Sequence, residues 1–338
     1  MADNASLKQI ILQAEQPVFV VLDGAQFEDL PKSLFDGDFV HKPLYLDRGN
    51  GTADQLRTAP QLAWLDRDWH DVDKDNTGQP RPTSELMLDR LFDLVGERHA
   101  AVFWFCDAGG DVLFRHLRTI NMIMLPTAVA MDRGKGYEGD PLAQPSDDAQ
   151  NADHEVVLFR HADSNVMAQV LPSLTYAHLA RVLGPAQQIL YSADPDWSEK
   201  PMRVSRADDM PTPPAGPLKL TVQEVGEIEA KRSLAARHRR ISYLREACPA
   251  ETQGASNEAL EEHLRISEET GKQLGLVSEG AHCRWAYLMV ATRGQIAASP
   301  AVTDYIRNGG THPDDQVGLV MKSTIAALRQ QRQLEACL

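Results

Sequence analysis

The chain of 338 residues is long enough for two domains with cores of their own, and 43% hydrophobic with 24% charged residues is the composition of a folded chain, not a disordered one. Its formal charge of −14 is unevenly spread: from Leu218 onward 15 Lys and Arg match 15 Asp and Glu, which leaves 19 against 33 before it. An acidic first part disfavours nucleic acid, and no apolar run approaches the ~20 residues a bilayer-spanning helix needs, so neither nucleic-acid binding nor membrane insertion is expected.

The first residues, MADNASLK, place acid before base and lead into no apolar run, which is not a secretory signal and implies a cytoplasmic location. Cys106, Cys248, Cys283 and Cys337 form no C-x-x-C pair and read as free thiols. The run Val18–Leu22 has the character of a buried strand, closed by Asp23-Gly24. Weaker strand signals fall at 44–46 and 62–65. Ser84 can cap a helix running to about Val95, and residues 100–106 (AAVFWFC) carry the strongest strand signal. After Gly109-Gly110 comes a helix over 111–118, then strands at 122–125, 156–159 and 188–191. Strands alternating with helices predict an α/β lobe over 1–196, a mixed sheet with flanking helices.

Within that lobe, residues 132–155 are polar and rich in Asp, Gly and Pro, and read as an exposed insertion. Their Gly134-x-Gly136-x-x-Gly139 lacks the strand before and the helix after that a phosphate loop requires. Residues 197–217 are Pro-rich and read as a linker. From 218 to 338 the pattern is helical: an all-α lobe. Thr221-x-x-Glu224 is a capping box opening a helix to about Ala247, and Leu260, Leu264, Ser267, Gly271 and Leu274 share one face of a second. Trp285, Leu288 and Met289 mark a third, Pro300 opens a short one ended by Gly309-Gly310, and Val317, Val320, Met321, Thr324 and Leu328 stripe the last.

No nucleophile elbow, His-Glu-x-x-His or Gly-Lys-Ser/Thr loop is present. Asp66, Asp68, His70, Asp71 and Asp73 could hold a divalent ion, which makes a metal-dependent hydrolase built around His70 the alternative reading, although a solvated turn suits this spacing better. His282-Cys283 lacks a second ligand pair, and Arg237-His238-Arg239-Arg240 lies on a helix of a neutral lobe. No cofactor, metal or catalytic residue is assigned.

An ordered series of segments carries a resemblance: 18–25 (VFVVLDGA), 60–65 (PQLAWL), 101–105 (AVFWF), 113–118 (LFRHLR), 157–160 (VLFR) with Asp163, 171–174 (LPSL) and 179–185 (LARVLGP). A looser echo follows at 274–278 (LGLVS) and 299–302 (SPAV). Together they resemble the domain of unknown function 4123 family, the adaptor/chaperones of type VI secretion. Asp163 is followed by Ser164 where the family usually has Pro, and the 132–155 insertion is longer than the family's hairpin turn. The resemblance implies a cytosolic adaptor without enzymatic activity. It would bind one toxic effector and help mount it on the VgrG spike. The positions matching the family's motifs are Asp23, His116, Arg118, Phe159, Arg160 and Asp163, in structural or partner-facing roles. His116, Arg118 and Arg160 lie at the ends of apolar elements, where pairing with Asp23 or Asp163 would fix a helix onto the sheet.

Overall fold

The first strand, β1 (Val18–Leu22), is buried at every position, which suits a run of β-branched and aromatic residues covered on both faces. The computed structural model describes residues 2–45, 51–68, 70, 81–127 and 153–336. In it, β1 lies inside a six-stranded sheet with β2 (Phe39–Pro43), β3 (Gln61–Asp68), β4 (Ala101–Phe105), β7 (Gln188–Tyr191) and β8 (Met202–Ser205). The order is β2-β3-β1-β4-β7-β8, antiparallel throughout. A smaller sheet has the order β6-β5-β9, built from β5 (Met122–Pro126), β6 (His154–Leu158) and β9 (Leu218–Lys219). Here β5 pairs antiparallel with β6 and parallel with β9, so the mixed pairing of the lobe resides in this sheet.

The strict alternation of side chains along β1 divides the core. Val18, Val20 and Leu22 face α1 (Ala2–Leu12), α2 (Leu30–Asp36) and α4 (Glu85–Val95), which contribute Ile11, Leu34 and Leu91 among others. Phe19 and Val21 face the opposite layer, made of α5 (Gly110–Leu117), α6 (Ser164–Val170), α7 (Tyr176–Leu183) and the smaller sheet. A short α3 (Ala53–Thr58) carries a complete capping box on Thr52 and Gln55. The fold class read from the sequence, an α/β lobe followed by an all-α lobe, is the one observed.

The boundary differs from the expected one. Residues 197–217 are not a linker, because Met202–Ser205 pairs along its whole length with β7 and turns Met202 and Val204 onto the core. Two compact units result, Met1–Arg232 and Ser233–Leu338. The division falls inside α8 (Val222–Ala247), whose first turns give Val225 and Ile228 to the core of the first unit. The smaller unit holds the rest of α8 with α9 (Pro249–Thr252), α10 (Asn257–Gln273), α11 (Glu279–Ala291), α12 (Pro300–Asn308) and α13 (Pro313–Ala336). Leu260, Leu264, Ser267 and Gly271 are buried along α10, as their spacing requires. Trp285 is fully buried in α11 and donates Nε1–H to Thr270 Oγ1 at 2.9 Å. Of the 132–155 insertion, residues 132–152 lie outside the described residues, while 154 and 155 begin β6. Among the described residues no helix is long and apolar enough to cross a membrane.

Candidate functional site

Asp23 ends β1, and its carboxylate turns back to accept from Ala25 N–H at 3.3 Å and Gln26 Nε2 at 3.2 Å. Arg160, just past β6, donates from Nη2 to Asp23 Oδ2 and lies 3.3 Å from Asp163 Oδ2. Asp163 in turn caps α6, accepting from Asn165 N–H at 2.8 Å and Val166 N–H at 3.3 Å. Both carboxylates are buried, whereas the Arg160 side chain keeps 43% of its surface exposed. Burial opposes the Arg160 charge, but Asp23 and then Asp163 outweigh it and hold the guanidinium above its ordinary range. Burial pushes the Asp163 carboxyl up against the pull of Arg160 and the capping N–H groups. The expected pairing of Arg160 with Asp23 and Asp163 is thus present.

The other motif residues use different partners. His116 donates from Nε2 to the Val182 carbonyl at 2.8 Å, tying α5 to α7 through backbone and not through a carboxylate. Burial lowers its pKa, with Arg181 and Arg206 adding to the effect against the raising influence of that carbonyl. Gly184 has φ +55°, and a Cβ built there would lie 2.2 Å from the His116 ring, so the ring occupies space that only glycine leaves. Arg118 lies over the Phe114 ring at 5.5 Å from its centroid. Phe159 is buried in the core beside the ring of His161, centroids 5.8 Å apart.

Two groups escaped the sequence reading. His161 is fully enclosed and its Nε2 meets Asn121 Oδ1 at 2.8 Å, while Asn121 Nδ2 donates to the Leu44 carbonyl at 3.0 Å. Burial, with His116 nearby, draws its pKa down to about 3. The only cue was its place between Arg160 and Asp163. The second is Glu224, legible as half of a capping box but not as a hub. Its carboxylate accepts from Thr221 N–H at 2.8 Å, Thr221 Oγ1 at 3.0 Å, Thr175 N–H at 2.7 Å and His178 Nδ1 at 2.8 Å. Burial opposes its charge, yet these donors together hold the carboxyl below its usual range.

The acidic-His cluster does not converge where it is described. Asp66 is buried against Arg67 Nη2 at 2.8 Å and Arg81 N–H at 3.2 Å, and His70 Nε2 lies 3.5 Å from Asp38 Oδ1. Asp71 and Asp73 lie outside the described residues, as does Gly134-x-Gly136-x-x-Gly139. Among the described residues no group of three or more His, Cys, Asp or Glu side chains is placed to hold a metal ion. In the helical unit, Arg240 pairs with Glu268, and Arg239 Nη2 lies 3.4 Å from Glu279 Oε1. Burial pushes the Cys283 thiol up, the behaviour of an unreactive cysteine. No protein-family model, no curated protein and no solved structure matches the chain.

Proposed function

We propose that this protein is a cytosolic adaptor that binds a toxic effector of a type VI secretion system and helps load it onto the VgrG spike, by protein–protein contact and without catalysis. The observation that carries the reading is the Asp23–Arg160–Asp163 cluster. It links the end of β1 to residues 137 positions away. Two stretches that carry the resemblance, 18–25 and 157–163, are therefore coupled through one ionic cluster with both carboxylates buried, which supports a shared fold over scattered matches. The acidic excess before Leu218, 33 Asp and Glu against 19 Lys and Arg, suits a basic partner.

Co-expression with a candidate effector and a VgrG protein tests the proposal, with the expectation that the effector stays soluble and co-purifies. A chain that elutes alone in the presence of both partners overturns it. So does stoichiometric bound metal with a hydrolytic activity that His70→Ala abolishes.

A further inference from the structure

The smaller sheet ends, among the described residues, on β6. Its register with β5 fixes which of its backbone groups are free. Phe159 N–H donates to Asn121 O at 2.7 Å and Thr127 N–H to Asp153 O at 2.8 Å, so these opposed residues form hydrogen-bonded pairs. In an antiparallel ladder such pairs alternate with pairs that do not bond each other. Glu155 and Val157 therefore point their N–H and C=O groups at β5, and His154, Val156 and Leu158 point theirs away. The same alternation sorts the side chains. Ile123, Leu125 and Val157 pack on the core, whereas Met122, Val156 and Leu158 share the other, outer face with Met124, which is itself buried. Met122 and Leu158, directly opposed, are 44% and 42% exposed. Past Pro126 and His154 on this face, a cavity of about 570 Å³ opens, also lined by Lys219, Leu220 and Val222.

Natural sheets blunt open edges with proline, with charged side chains, lysine above all, or with a bulge. The sequence of β6, HEVVL, has no proline or lysine and a single acidic charge, Glu155, and its ladder with β5 runs without a register shift. We propose that β6 is a docking edge that takes up an extended segment of a partner protein as an added strand. This inference rests on the adaptor reading and specifies how the partner is held. The occupant's chemistry follows from the two faces. Its residues beside Val156 and Leu158 meet apolar surface, and those on the opposite face lie beside the exposed carboxylate of Glu155. A strand alternating apolar with basic residues satisfies both. A second copy of the chain is disfavoured as the occupant, because it brings the same net charge of −14.

The probe is a nine-residue peptide alternating lysine and valine, compared with one of the same sequence whose backbone amides are N-methylated. The expected result is binding of the first peptide, with slowed amide exchange at His154, Val156 and Leu158, and at least tenfold weaker binding of the second. Val156→Pro removes an outward N–H and leaves the bonds to β5 intact, and Leu158→Lys places a charge on the outer face. Each is expected to weaken binding at least tenfold with no change in thermal midpoint above a few degrees. Equal binding of both peptides, or unchanged exchange at the three amides, overturns the proposal. A dimer in sedimentation that Val156→Pro abolishes overturns it in favour of self-pairing. An effector that co-purifies equally well with Val156→Pro and Leu158→Lys removes the edge from the adaptor reading. A peptide held at β6 with no effector co-purifying leaves the edge standing and removes the adaptor.

Discussion

His161 illustrates how much a single buried group can say about pH. Its imidazole is enclosed and neutral, with a pKa drawn down to about 3 from an ordinary 6.5. Between those values the unfolded chain binds a proton that the folded chain refuses, so stability rises with pH across that window. It is fully present above pH 6.5 and is lost as the pH falls toward 3, by up to about 1.4 kcal/mol per unit for one proton. Asp163, raised by burial, acts in the opposite direction, so the clean quantity is a difference. Urea unfolding of the parent and of His161→Gln from pH 7 to pH 4 should show a shallower slope in the variant. Equal slopes would mean that His161 takes up no proton when the chain unfolds. The sequence made Arg160 and its two carboxylates legible, because opposite charges at the ends of apolar runs need each other. It concealed His161 and the partner of His116, because the partners are an asparagine and a backbone carbonyl far along the chain; such acceptors leave no mark in residue type.

Helices and strands with a periodic pattern and a cap were legible close to their ends. Ser84 caps α4, Thr221 and Glu224 close their box, and the stripes of α10 and α11 are buried as spaced. Elements owed to tertiary pairing were not. β2 lies at Phe39–Pro43, just before the expected 44–46 (residue 46 lies outside the described residues), and β8 and β9 take their form from β7 and β5. Such short segments lack a period of their own, so the neighbouring strand decides. Glu224 joins both kinds, because it closes its own helix and also accepts from Thr175, the N-cap of α7, 49 positions away. Glu224→Ala would strand several buried donors at once, and a loss of about 3 kcal/mol is expected. Chemical denaturation measures it, and amide exchange at Thr175 and Thr221 should quicken together. Faster exchange at Thr221 alone would mean that the two helix starts are not coupled through this carboxylate.

At the scale of the whole molecule, the charge step at Leu218 signalled two units, yet the physical division lies at Arg232. Composition changes where the Pro-rich stretch ends, whereas packing changes only after α8 has delivered Val225 and Ile228 to the first core. Separate cores predict separable melting. Trp285→Ala empties a fully buried site in the smaller unit and should cost that unit about 3–5 kcal/mol. Calorimetry should then resolve a lowered transition beside an unmoved one, and a single transition shifted as a whole would refute independent units. The Glu224 hub also bears on synthesis. His178 leaves the ribosome 46 residues ahead of the carboxylate that accepts its hydrogen bond, a wait of roughly 2–10 s at ordinary elongation rates. During that interval α7 lacks the buried acceptor at its first turn and β5 lacks its β9 neighbour. The nascent first unit can only be completed late, and a translational pause before Glu224 emerges would prolong its exposure to aggregation.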